Sequence, residues 1–294
     1  MTDVVPAFTL TSMAITDDVL AAYADTPDPR LREILAALIR HLHAFAAETN
    51  LTASEWQAGI EFLTAVGQKC DADRQEFILL SDVLGLSSLV ESGNAADGAT
   101  EPTVLGPFYL PGAPARKMGE HIGRPEDGPA TLIRGRVTDT GGRPIDGATL
   151  DVWQCSGNGR YDIQDPDQPR FNLRGVFTTG PGGTFTFRTA RPVSYPVPVD
   201  GPVGDLLRAC QRSHWRASHL HAIVAAPSHR PVTTHIFDRE SEHIDGDAVF
   251  AVKPSLLREL TAHRADDPER PPGLAGVPGP WWSLVSDFVL APAG

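Results

Sequence analysis

Apolar residues at Leu31, Ile34, Leu35, Leu38, Ile39, Leu42 and Phe45 recur at steps of three and four. That spacing lines one face of an α-helix. Asp28-Pro29 stands just before it. An aspartate there can accept the first free N–H groups, and proline at the first helical position lacks only a donor that has no partner anyway. Thr52-Ala53-Ser54-Glu55 has the form of a capping box and opens a second helix through Trp56, Ile60, Phe62 and Leu63. From Asp73, DRQEFILLSDVLGLSSLV reads as a third, strongly apolar helix.

Beyond residue 100 the period falls to two and glycine and proline become dense. LIRGRVTD (132–139), ATLDVWQC (148–155), GVFTT (175–179), TFTFRT (184–189), HLHAIVAA (219–226) and TTHIFD (233–238) read as strands. Turn signals stand at Thr140-Gly141-Gly142-Arg143 and Gly180-Pro181-Gly182-Gly183. SLLREL (255–260) reads as a short helix, 265–280 as a Pro/Gly-rich loop, and PWWSLVSDFVL as a last strand. The pattern predicts a mainly β chain with an α-helical N-terminal domain: helices over 1–100, then a β-sandwich over 101–294, with the change of texture at ESGNAADGATEPT.

Composition narrows the function. The 294 residues carry a net charge of -12, which argues against nucleic acid, whose binding rests on Lys and Arg neutralising phosphates. No apolar run is long enough to span a bilayer, so a membrane protein is not expected. MTDVVPAFTLTSMAITDD has neither a basic segment nor a small-residue cleavage site, so the expected compartment is the cytoplasm. Cys70, Cys155 and Cys210 are widely spaced and odd in number, against a disulfide framework or a thiolate zinc site.

Five of ten histidines fall within residues 214–237: His214, His219, His221, His229 and His235. His219 and His221 lie two apart on a predicted strand, so both imidazoles face the same side and can reach one ion. His41 and His43 share the spacing but fall on a predicted helix, where they stand roughly 200° apart and cannot chelate together. Two imidazoles need further ligands. The nearby acids, Asp238, Glu240 and Glu242, are on turn-like segments without distinctive spacing. The other oxygen donor to consider is tyrosinate, from Tyr161 after a Gly-rich turn or Tyr195 between prolines. A phenol with a pKa near ~10 becomes a ligand only beside a hard, highly charged cation such as Fe(III).

In LDVWQCSGNGRYD, SYPVPVDGPVG, WRASHLH, NLRG and TVLGPFY the chain resembles the intradiol (ortho-cleaving) catechol dioxygenases, over nearly its whole length. The resemblance implies a β-sandwich catalytic domain with one non-haem Fe(III) per subunit, held by Tyr161, Tyr195, His219 and His221. Arg216 matches the family's active-site arginine, a fixed cation aimed at charge developing on the substrate. Loss of such a contact typically costs ~3 kcal/mol in the barrier. Tyr195 would double as the base that takes a substrate proton.

Family substrate-pocket positions fall on Leu79, Asp82, Val104, Leu105, Gly106, Pro107, Phe108, Val197, Pro198, Arg216 and Val249. His235 stands where catechol-type members usually carry glutamine, and is expected to be a hydrogen-bonding neighbour of the iron rather than a ligand. Ala217-Ser218 replaces a common Pro-Ala, which could loosen the approach to the metal strand. His214, His229 and His243 are expected in loops without a metal role.

Within the family, EWQAGIEFLTAVGQKCDADRQEFILLSDVLG, TVLGPFYLPGAP, THIF and DAVFAVKPSL are most similar to the hydroxyquinol 1,2-dioxygenases. The implied reaction joins 1,2,4-trihydroxybenzene and O2 to give 3-hydroxy-cis,cis-muconate, the tautomer of maleylacetate. Asp82 would accept a hydrogen bond from the extra hydroxyl; catechol or chlorocatechol is the alternative substrate. Relatives also imply a homodimer through the helical domain, with phospholipid in an apolar tunnel. Two other classes stay open on single stretches. RGRVTDTGGRPIDGATLDVWQ alone fits a non-enzymatic prealbumin-like module, and His219 with His221 and a carboxylate would fit a zinc hydrolase.

Overall fold

The computed structural model describes residues 11–268, 270, 271, 274 and 279–293. The first ten residues and part of the 265–280 loop therefore lie outside the described residues. Packing divides the chain into two units, 1–64 and 65–294, so the change of texture near residue 100 falls inside the second.

In the first unit, α1 (Thr11–Ala22) precedes α2 (Pro29–Glu48) and the start of α3 (Ala53–Lys69). Asp28 caps α2 as expected, accepting from the N–H groups of Arg30 and Leu31 at 2.8 and 3.2 Å. Thr52 and Glu55 form the reciprocal capping box of α3: the Glu55 N–H donates to Thr52 Oγ1, and the Thr52 N–H to Glu55 Oε2. His43 hydrogen-bonds Thr16 at 2.8 Å, a packing role in keeping with its helical setting.

The third expected helix is two: α4 (Glu76–Val83) and α5 (Leu86–Gly93). Gly85, at φ 75°, breaks them, because a left-handed residue cannot continue a right-handed helix. The start also moves, since Asp71 Oδ1 accepts the N–H groups of Asp73 and Arg74 in a turn before the helix.

The sandwich has two sheets. One is built on β1 (Ala130–Asp139), with β4 (Thr184–Ala190) antiparallel along one edge and β11 (Trp281–Val285) and β12 (Phe288–Leu290) parallel along the other; β10 (Thr261–His263) extends it beyond β11. The expected single last strand is thus split. Gly135 explains the split: a Cβ there would sit 2.0 Å from the Ser286 carbonyl oxygen, so only glycine admits the chain at that point. Asp287 accepts the Arg136 N–H where the ladder is interrupted.

The second sheet runs β3 (Arg174–Thr178), β2 (Thr149–Trp153), β7 (His219–Ala225), β8 (Val232–Asp238) and β9 (Leu257–Arg258). The helix expected at 255–260 is instead a 3-10 turn, Pro254–Leu256, leading into β9. β9 pairs with the edge of β8, a tertiary demand that outweighs the local pattern. A helix not foreseen, α6 (Pro202–Ala209), follows the short β5 (Tyr195–Pro196), which pairs with β6 (Trp215–Arg216).

Leu150, Val152, Leu220, Ala222, Val224 and Ile236 face the other sheet's Ile133, Phe185, Phe187 and Phe288 in one buried core. Strand alternation then sends His219, His221 and His235 to the opposite, outer face of the second sheet. The register places His221 across from both His235 and Trp153.

Candidate metal centre

Two loops bring the tyrosines onto that outer face. A turn from Ser156 to Arg160 follows β2 and presents Tyr161, whose N–H donates to Gln164 Oε1 at 3.0 Å. Gly159 in this turn has φ 77°, and a Cβ there would lie 3.4 Å from the Cβ of Tyr195. The left-handed backbone, and not a shortage of space, is what favours glycine there. Tyr195 comes from β5 and pairs in register with Arg216 of β6.

The result is a chain of four donor atoms. Tyr161 Oη lies 3.1 Å from Tyr195 Oη, Tyr195 Oη 3.4 Å from His219 Nε2, and His219 Nε2 3.2 Å from His221 Nε2. All four residues are 1–2% exposed. His219 donates its Nδ1–H to the Ala217 carbonyl at 2.6 Å, which leaves the Nε2 lone pair facing the others. The Ala217-Ser218 pair does not leave this strand loose: the Ser218 N–H donates to Ser241 Oγ at 2.8 Å, and its carbonyl accepts from the Asp238 N–H.

The donor set fits a metal ion. Ligand atoms about 2.0–2.1 Å from an ion lie roughly 3 Å from one another, as the three neighbouring pairs of this chain do. Burial, together with the Arg216 charge, holds His219 well below the usual histidine range; burial does the same for His221. Both are therefore neutral and have lone pairs to give. Burial pushes both phenols upward, Tyr161 far up. Their ionisation requires a compensating cation, as expected for Fe(III). Gly106, at φ 79°, keeps room beside the His221 ring: a Cβ would meet its Cε1 at 3.3 Å.

Supports surround the donors. Trp153 stacks on His221 at 4.6 Å and Phe108 on Tyr161 at 4.7 Å between ring centroids. His235 lies 4.1 Å from the His221 ring centre, and its Nδ1 is bonded to the Thr103 hydroxyl. His219, His221 and His235 have ligand atoms within 4.8 Å of one another, so a three-histidine site is a second possible donor set. His214 and His243 pack on Trp215, and His229 bonds the Pro227 carbonyl, all away from the donors.

Arg216 reaches in from the side, with Nη1 3.2 Å from His219 Nε2 and 3.4 Å from Tyr195 Oη. Its Nε donates to Asp247 at 3.0 Å, both groups buried. Burial works against the guanidinium charge, but Asp247 outweighs it and keeps Arg216 protonated. Asp247 was not foreseen from the sequence. It begins the DAVFAVKPSL motif, yet an acid 31 positions after Arg216 in a loop gives no spacing signal.

Of the expected pocket residues, Leu79, Val104, Gly106, Phe108, Val197 and Val249 are buried. Leu105, Pro107 and Pro198 are half-buried, and Leu105 packs on the cluster of Phe108, Trp153, Tyr161 and Tyr195. Phe108 and Pro198 also border a surface cleft of about 650 Å³ with Arg74, Arg160 and Gln164. Asp82 is 1% exposed, and neither carboxylate oxygen has a hydrogen-bond partner among the described residues. Ser87 stands near enough to lower its pKa, but its hydroxyl turns to Ser81. Burial raises the Asp82 carboxyl to about 6 in spite of Ser87 and Arg216.

The chain matches known proteins along most of its length. Residues 28–101 match the family described as catechol dioxygenase N terminus, and 104–276 the family described as dioxygenase. The chain is 48% identical over 278 residues to the hydroxyquinol 1,2-dioxygenase of Rhizobium sp. (strain MTP-10005), covering 94% of each. It is similar to the crystal structure of hydroxyquinol 1,2-dioxygenase from Pseudomonas putida DLL-E4, with TM-score 0.85 and 45% identity over 96% of this chain and 99% of that one. The catechol 1,2-dioxygenase of Acinetobacter radioresistens matches with TM-score 0.83 at 27% identity, over 96% and 94%.

Proposed function

The chain belongs to the intradiol ring-cleavage dioxygenases, a family that implies non-haem iron, and from this we propose that it cleaves hydroxyquinol between its adjacent hydroxylated carbons, with Fe(III) held by Tyr161, Tyr195, His219 and His221. Both atoms of O2 enter the product, 3-hydroxy-cis,cis-muconate, so the reaction balances without a further reductant. The observation that carries the substrate assignment is Asp82. It is a buried carboxyl without a hydrogen-bond partner among the described residues, it feels the Arg216 charge, and it stands at a position that matches the family's substrate pocket. A third ring hydroxyl would give it a donor; catechol has none to offer.

When bound, iron supplies a Lewis acid that draws electron density from the diol and makes the ring reactive toward O2. The protein's own groups do the rest. Tyr195 Oη takes the proton of one substrate hydroxyl, and Arg216 Nη1, beside it, stabilises negative charge on the substrate oxygens. Phe108 and Trp153, stacked on Tyr161 and His221, hold the donors in place.

Tyr195→Phe should retain iron but turn over at least ~100-fold more slowly, the usual worth of a general base. Iron analysis beside O2 uptake checks this, and near-normal turnover defeats the base role. Specificity constants for hydroxyquinol and catechol decide the substrate; a preference for catechol overturns the assignment.

The helical unit supports a homodimer with bound phospholipid. Leu31, Ile34, Leu38, Leu42 and Phe45 of α2, with Trp56, Ile60 and Leu63 of α3, are 43–57% exposed, a broad apolar surface for a single chain to leave in water. Sedimentation should give twice the chain mass, and organic extraction should release phospholipid. A monomer free of lipid would refute both.

A further inference from the structure

Tyr161 rides on a long connection. β2 ends at Trp153 and β3 begins at Arg174, and residues 154–173 run between them without a helix or strand. That is well beyond the roughly 12–15 residues at which such loops become uncommon unless they serve a function. The Tyr161 N–H and carbonyl both bond Gln164, but these bonds stay inside the loop. The next residue ties this point of it to the sheet. Asp162 Oδ1 accepts from Arg174 Nε at 2.8 Å and lies 2.7 Å from Nη2. Its Oδ2 accepts the Phe171 N–H at 2.7 Å. The Asp162 and Arg174 side chains are 0% and 1% exposed. Held there, the Arg174 guanidinium stands over the Tyr161 ring, 5.7 Å from its centre.

We propose that Asp162 and Arg174 are positioning residues for Tyr161, a buried clasp that fixes the direction in which its phenol oxygen meets the metal. The inference rests on the proposed ligand set. Stability alone does not explain the pair, since a buried ion pair is often no more stabilising than apolar residues of the same size. The backbone beside it is also held in an unusual form. Phe171 and Leu173 are left-handed, at φ 65° and 55°. Bulky residues adopt that conformation only where their surroundings hold them in it. Asp162 holds the Phe171 N–H, and the Ile122 carbonyl accepts the Leu173 N–H at 2.9 Å. Arg174 thus enters β3 from a fixed turn, across from Trp153. Without the clasp the ring would spread over several directions, and affinity falls when a ligand must be ordered as the metal binds. Tyr195, His219 and His221 come from β5 and β7, outside this loop, so its loss should act through Tyr161.

The test is Fe(III) affinity, measured by competition with a ferric chelator. Asp162→Asn and Arg174→Met are made together, because either alone leaves a buried charge without its partner. The double variant should bind iron at least ~10-fold more weakly, the lower end of the usual loss when an outer partner of a ligand is removed. Installed in Tyr161→Phe protein, the same two changes should alter affinity by less than about twofold, the usual scatter of independent sites. A pair that only supports the fold would weaken iron alike in both backgrounds. That result, or unchanged affinity in the double variant, overturns the proposal.

If the double variant does not fold, Arg174→Lys carries the test. It keeps a charge for Asp162 but no flat guanidinium to lie over the ring. Iron should then weaken where Tyr161 is present and not in Tyr161→Phe protein, and any other pattern overturns the proposal. Failure of the ligand set itself would look different: Tyr161→Phe alone would bind iron as tightly as the native protein, leaving the clasp nothing to position.

Discussion

His219→Ala and His221→Ala should each yield colourless protein with little iron and at least ~100-fold less activity, while native protein should be red to burgundy from the charge transfer that the proposed Fe(III)–tyrosinate site would show. Loss of a ligand costs no less than loss of an outer partner, for which 10–100-fold is typical. The variants should still fold. Removing a buried ring costs about 3 kcal/mol in cavity and contacts, within the roughly 5–15 kcal/mol of a globular domain.

His235→Gln separates the two donor sets. It should keep iron and colour, because the Thr103 hydroxyl already engages Nδ1 and the Tyr161–Tyr195–His219–His221 chain is complete without it. Metal analysis of the three variants decides the matter. Iron lost from His235→Gln but kept in Tyr161→Phe would establish the three-histidine site instead.

Asp82→Asn should trade specificity for stability. The Asp82 carboxyl sits at about 6 in the fold against roughly 3.9 when unfolded, so the folded state holds its proton more tightly. Below about pH 4 both states are protonated and Asp82 costs nothing. Stability then falls as pH rises toward 6, and above that the full cost applies, on the order of 3 kcal/mol. Asp82→Asn removes it. The variant's urea midpoint should exceed that of the native protein at pH 7.5, and the two should converge at pH 4. At the same time its preference for hydroxyquinol over catechol should drop about tenfold or more, since a charge-assisted bond is lost. In the native enzyme that preference should weaken as pH falls through 6. A midpoint difference independent of pH, or an unchanged preference, would place Asp82 outside the pocket's chemistry.

Legibility in the sequence follows the range of the interaction involved. The α2 and α3 caps, the sandwich strands and the HxH pair on β7 are matters of neighbours within four residues, and the structure contains them as the pattern predicts. Helix and strand diverge at 255–260 because β9 answers to the edge of β8. The last strand divides because β1 at Gly135 admits the Ser286 carbonyl. Neither partner is visible in the local pattern.

The same division runs through the site. Strand period alone puts His219 and His221 on one face, because it is a local property, whereas the expectation that Tyr161, Tyr195 and Arg216 join them comes from the resemblance to the family. Which donors converge, and at what distance, is decided by the register of β5 on β6 and of β7 on its neighbours. The burial of Asp82, the bond from Thr103 to His235 and the Asp247 anchor on Arg216 join residues 31 or more positions apart or depend on what covers them. Burial and long-range pairing arise only when the whole chain closes, since they are set by the exclusion of water and not by any residue's neighbours along the chain.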